Sequence, residues 1–170
     1  TGEDLLKTTL RAGNFGSDSA FSGSDYVALA GLEAAFESDN GDSSVEVHRL
    51  WYSFPYGDDF QVYVGAKIRQ DEMLAVWPSA YPSDSILDFF TYAGAPGAYN
   101  LASGGGAGVT WGTEAIEGDI DVSLGYISTN SQSSNPNGAA TTGGGIATEN
   151  AGNNFTTQIA YSRDNWGLAY

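Results

Sequence analysis

The stretch Val45–Arg69, VEVHRLWYSFPYGDDFQVYVGAKIR, constrains the fold more than any other part of this 170-residue chain. In its second half Phe60, Val62, Val64, Ala66 and Ile68 alternate with Gln61, Tyr63, Gly65, Lys67 and Arg69. Successive side chains of a strand point to opposite faces, so this period of two predicts a strand with one apolar and one polar face. The first half alternates in the same way, with Leu50, Tyr52 and Phe54 against Arg49, Trp51 and Ser53. Between them Pro55-Tyr56-Gly57-Asp58-Asp59 predicts a turn, with the proline ending the first strand and Gly-Asp reversing the chain. The pair is therefore a hairpin, with Phe54, Tyr56 and Phe60 crowding its turn.

Similar alternation recurs along the chain. Leu5–Gly13 puts Leu6, Thr8, Leu10 and Ala12 on one face and Lys7, Thr9 and Arg11 on the other. Tyr26–Glu37 predicts a second strand, and Asp39-Asn40-Gly41-Asp42 a turn before the hairpin. After Arg69 the pattern breaks over residues 70–105, a connection longer than compact domains usually carry. Within it, residues 83–92 begin with helix-capping Ser83 and Asp84 and carry Ile86, Leu87, Phe89 and Phe90 at helical spacing, predicting one short helix. Alternation resumes at Ala107, Val109 and Trp111, and again at Ile120, Val122, Leu124 and Tyr126 after a turn over 113–119. A loop over 128–153, rich in Ser, Asn, Gly and Thr, separates these from Phe155, Thr157, Ile159 and Tyr161. A tight turn over 163–165 leads to a last strand opened by Trp166, Leu168 and Tyr170.

Connection lengths alternate too. Those near 38–44, 55–59, 113–119 and 163–165 are short, and those near 14–25, 70–105 and 128–153 are long. Short turns at one end and long loops at the other are the asymmetry of a transmembrane β-barrel, which a soluble sandwich need not show. The aromatic cluster at the hairpin turn fits an interfacial girdle in the first case and a core in the second. The last strand is shorter than the roughly 9–11 residues that span a membrane. The pattern thus predicts an all-β, antiparallel, single domain over 1–170 that is the N-terminal part of a larger barrel. In it, residues 70–105 would fold inward to constrict a lumen and 128–153 would form an extracellular loop. The competing reading of residues 70–105 is a surface lid or a plain extracellular loop.

Composition excludes several functions. Six Lys and Arg against 21 Asp and Glu give a net charge of −15, too few cations to neutralise a row of phosphates, so nucleic acid is excluded as a partner. There is no cysteine, hence neither a disulfide framework nor thiolate chemistry. No apolar run approaches the roughly 18 residues of a membrane helix, although barrel strands escape that test. No signal peptide is visible and Thr1 is not a natural start, which reads as a mature or trimmed product.

Catalytic chemistry finds no foothold. The single His48 sits on a strand without a motif, no Gly-rich stretch opens a phosphate-binding helix, and no cofactor motif is present. Glu37, Asp39 and Asp42, or Asp119 with Asp121, have the side chains of a Ca²⁺ cage but not the spacing of an EF-hand, and solvated turn carboxylates account for them. No metal site and no enzyme activity are expected. The informative residues are basic. Lys7, Arg11, Arg49, Lys67 and Arg69 all fall on predicted polar strand faces, leaving only Arg163 in a turn. In an acidic chain this points to a positively charged lumen wall that attracts anions and orients polar solutes. Asp71, Glu72, Asp84 and Asp88 of the inserted loop would face it across a constriction.

DLLKTTLRAGNF near the start, HRLWYSFPYGDDFQVYVGAKI, GGGAGVTWG and DVSLGYIS together resemble the barrel domain of cyanobacterial outer-membrane porins of the carbohydrate-selective, OprB-like family. The resemblance spans the whole chain in patches. It implies a larger barrel of about 16 strands, a homotrimer embedded in outer-membrane lipid. It also implies an upstream domain that binds cell-wall polymer, and passage of small hydrophilic solutes such as sugars and inorganic ions. The rival expectation is a soluble acidic β-sandwich, a glycan-binding or surface-layer module whose Trp and Tyr stack on sugar rings.

Overall fold

The structure, a computed structural model, describes residues 2–13, 44–77, 79, 102–115, 117–130, 146–148 and 150–170. The predicted strand over Tyr26–Glu37, the short helix over 83–92, and Asp84 and Asp88 lie outside these residues. The chain divides into two compact units, Thr1–Lys7, Arg49–Pro78 and Ala98–Tyr170 in one, and Thr8–His48 and Ser79–Gly97 in the other. In the second unit the described residues are the end of the first strand, the start of the second, their immediate flanks and Ser79. The first unit carries the features below.

The described residues form an all-β, antiparallel fold: one seven-stranded sheet in which each strand neighbours the next in sequence. The strands are β1 (Leu5–Arg11), β2 (Glu46–Tyr56), β3 (Phe60–Arg69), β4 (Ser103–Ala115), β5 (Gly118–Ser128), β6 (Asn153–Arg163) and β7 (Trp166–Ala169). The one helical element among the described residues is a 3₁₀ turn, Gln70–Met73. Such a meander places alternate connections at opposite ends. At one end lie the tight turns after β2, β4 and β6, and at the other β3 and β5 run out.

Local chemistry sets the tight turns. Gly57 adopts φ 70°, a conformation that a side chain would strain. Pro55 does not end β2 but remains in the ladder opposite Gln61, because a proline is tolerated where its missing N–H is not needed. The turn between β4 and β5 is tighter than predicted and places Glu117 at φ 60°. Arg163 Nη2 donates to its carboxylate at 2.7 Å. Gly104, Gly105 and Gly106, which read in the sequence as loop punctuation, belong to β4. The last two stand opposite Ser128 and Ile127.

Register sorts the side chains by polarity. Tyr52, Val64, Ala107, Tyr126 and Phe155 form one row across β2–β6, and Phe54, Val62, Val109, Leu124 and Thr157 the next. Tyr56, Phe60, Trp111, Val122 and Ile159 form a third. This almost entirely apolar face is the exposed one: Val64 is 48%, Leu124 50%, Ile159 57% and Phe155 76% accessible. The opposite face carries Ser53, Gln61, Thr110, Ser123 and Gln158 between glycines, and of these Ser53, Thr110, Ser123 and Gln158 are buried. A soluble sheet does the reverse.

One predicted face assignment is corrected. A bulge between Gly65 and Ile68 inserts an extra residue into β3 and reverses the alternation beyond it. Ile68, expected beside Val64 and Ala66, is instead fully buried with Trp51, Met73 and Ile127 on the polar side of the sheet. That small apolar cluster exists because the chain after β3 folds back onto this face. Its seat is a pair of facing glycines, Gly108 and Gly125. A Cβ on Gly108 would lie 2.7 Å from Met73 Sδ and 2.9 Å from the Leu124 carbonyl oxygen; one on Gly125 would lie 2.8 Å from Gln70 Nε2. Gly108→Val should therefore overpack the seat and destabilise the protein by about 1–3 kcal/mol, with sheet content retained. Urea unfolding followed by circular dichroism checks it, and an unchanged midpoint would refute the seat.

Candidate functional site

Residues 70–77 form a strap across the polar face. The Gln70 N–H donates to the Ala102 carbonyl at 2.9 Å, so the strap starts anchored beside β4. Met73 fills the glycine notch. Further on, the Ala75 N–H donates to Ser123 Oγ at 2.6 Å on β5. The Val76 N–H donates to Gln158 Oε1 at 3.1 Å on β6, and Gln158 Nε2 returns a bond to the Val76 carbonyl at 2.8 Å. A non-regular segment laid on a sheet must find partners for its backbone groups. Ser123 and Gln158 supply them, which gives these polar strand residues a structural reason to face inward.

Charge fastens the start of the strap. Glu72 accepts from Lys7 Nζ at 2.7 Å and from the Arg69 backbone N–H at 3.0 Å, and its other contact is Arg49 Nε at 3.3 Å. Asp71 takes the Arg69 guanidinium in a two-pronged contact, 2.5 Å from Nε and 2.6 Å from Nη2. The Arg49 and Glu72 side chains are only 5% and 8% exposed and that of Asp71 1%. Lys7 also lies 5.6 Å from the centre of the Trp51 ring, within cation–π range. Two geometrical devices meet in Glu72: its carboxylate caps the first turn of the 3₁₀ segment and pairs with two cations from β1 and β2.

Three of the predicted wall residues, Lys7, Arg49 and Arg69, are thus brought together with two of the predicted loop acids, Asp71 and Glu72. The sequence placed these groups across a gap; the structure puts them in contact. Arg11 lies half-buried on β1. Lys67 stands in register with exposed Leu50, at the bulge. His48 is half-buried in β2. Among the described residues no group of three His, Cys, Asp or Glu is placed to hold a metal. Sequence reasoning missed Ser123, Gln158 and the two glycines as strap partners. Their alternation placed them on the polar face, but nothing local in the sequence shows what lies upon it.

No family model matches the chain, and no solved structure matches it. The chain is 26% identical over 171 residues to an uncharacterised protein of Synechocystis sp., an alignment covering all of this chain and 28% of that relative. The chain therefore spans about 28% of the length of the protein it matches.

Burial pushes the Asp71 carboxyl above the ordinary carboxylate range, and neighbouring Glu72 adds to the push, while Arg69 and Arg49 pull the other way. A carboxyl whose folded value exceeds its unfolded one, about 3.9, binds a proton in the folded state that the unfolded chain has already released. Its stabilising contribution is full below the unfolded value and is lost as pH rises through the folded one. Asp71→Asn should therefore remove a component of declining stability with rising pH that begins near pH 4 in the wild type. Parallel urea titrations across that range check this, and identical slopes would count against it.

Proposed function

We propose that these strands form part of the wall of an outer-membrane barrel, an OprB-like porin that lets small hydrophilic solutes, sugars and inorganic ions, diffuse passively. The observation that carries this reading is the inverted sheet. Its apolar rows face outward and its polar face is covered by the chain's own strap. An apolar band on the outside of strands that alternate apolar and polar suits a hydrocarbon environment, and a polar inner face suits an aqueous lumen.

Aromatic placement supports the same reading. Tyr126 and Phe155 pack with ring centres 4.9 Å apart toward the long-loop end, and Tyr161 and Trp166 at 5.5 Å toward the tight turns. Phe155 and Tyr161 are six residues apart on β6, a rise of about 20 Å. That is close to the height of an apolar band flanked by interfacial aromatics. Among the described residues the turns after β2, β4 and β6 are tight and share one end, as in barrels with short periplasmic turns. The family resemblance points the same way. In this reading solutes move down their own gradients, and the strap narrows the route along the inner wall. No residue needs to turn over chemically.

The discriminating variant is Leu124→Arg on the outer face. In a bilayer it should cost about 2–4 kcal/mol if the site lies near the midplane, whereas on a water-exposed surface such a change stays within about 0.5 kcal/mol. Unfolding of the full-length protein in lipid vesicles separates the two. Planar-bilayer recording from the same preparation should give stepwise conductance. A protein that is monodisperse without detergent, silent in bilayers and indifferent to Leu124→Arg would instead be a soluble sheet module.

A further inference from the structure

We infer that Glu72 is the positioning residue of the strap and that, by seating it, Glu72 masks the basic wall from passing solutes; the masking role rests on the porin reading above. Judged from the sequence, the basic residues of the strand faces form an anion-attracting surface. Judged from their surroundings, three of them are already engaged. Lys7 and Arg49 converge on the two oxygens of Glu72 from β1 and β2, and Arg69 is held by Asp71 while its own N–H is capped by Glu72. With the Arg49, Glu72 and Asp71 side chains all less than one-tenth exposed, a solute moving along this face meets paired charges, whose fields largely cancel beyond a few ångströms. Lys7, at 34% side-chain exposure, is the one of these cations that water reaches readily.

The carboxylate therefore acts in two ways at once. It fixes where the strap begins, because the cap to Arg69 sets the direction in which Met73, Ala75 and Val76 leave β3. It also sets the sign of charge that the lumen presents. Seating and masking are coupled: a strap that lifts carries Asp71 and Glu72 away from the wall and leaves the cations behind.

The two partners of the pair provide the test. Glu72→Gln keeps the side chain's shape and removes its charge, which should leave Lys7 and Arg49 less compensated. In bilayers of the full-length protein under a salt gradient, the chloride-to-potassium permeability ratio should rise by about twofold or more. Lys7→Gln removes a cation while Arg49 still holds Glu72, so the ratio should fall. Loosening of a merely structural contact would move both variants in the same direction. Hydrogen exchange gives an independent readout. The Ala75 and Val76 amides, bonded to Ser123 and Gln158, should lose about tenfold or more of their protection in Glu72→Gln. Shifts of the same sign in both variants, or no shift in a conducting channel, overturn the masking role. Undiminished protection overturns the positioning role. If the wild type does not conduct, the porin reading falls and masking with it, while hydrogen exchange still decides Glu72's hold on the strap.

Discussion

Every feature of this sheet depends on antiparallel register being kept across β2 to β6. Because side chains alternate with a period of two, a slip of one residue in any ladder would carry its apolar set to the other face. The ladders instead align Val62, Val109 and Leu124 on one side and Gln61, Thr110 and Ser123 on the other. Tight turns fix that register at one end, where Gly57 and Glu117 take left-handed conformations. At the other end the β5–β6 pairing continues past the strands, the Thr129 and Asn130 N–H groups donating to the Gly152 and Ala151 carbonyls.

The polar face answers a different demand. A sheet with glycines and hydroxyls on one side buries little by itself, and the strap gives it something to bury. Met73 enters the space above two glycines, Ile68 reaches it by way of the bulge, and Trp51 and Ile127 close the cluster. Around this small apolar centre, against which Tyr63 and Ala102 also pack, lie the hydrogen bonds and ion pairs of the strap. A buried charge pair is seldom a large net source of stability, since desolvation offsets much of the attraction. The contacts here join the strap to three elements: Glu72 meets Lys7 of β1 and Arg49 of β2, and Asp71 meets Arg69 at the end of β3.

Much of the architecture was legible in the sequence because alternation is a local signal. The hairpin, the strands begun at Leu5, Ile120 and Phe155, and the tight turns near 55–59 and 163–165 could all be read from spacing. What could not be read depends on contacts between distant residues. A period of two put Ile68 beside Val64, since a bulge leaves no mark in the polarity pattern itself. Gly104, Gly105 and Gly106 read as a loop because glycine is common in turns, whereas here they pair within a ladder. Nor does the spacing of the basic residues along the chain reveal that Glu72 meets Lys7 and Arg49, or that Asp71 takes Arg69. Polarity can be read one residue at a time; partnership cannot.

The facing glycines also shape how this fold can change over generations. Gly108 and Gly125 hold the strap's seat open by having nothing to put there, so drift at either position can act only by addition. Met73 can shrink, lengthen or branch in small steps, each altering how closely the strap lies against the wall. Variation in how closely the strap seats would therefore accumulate first in the strap, while the sheet beneath keeps its two bare positions. A lineage of such folds would diversify by rewriting what sits in the socket while preserving the socket itself.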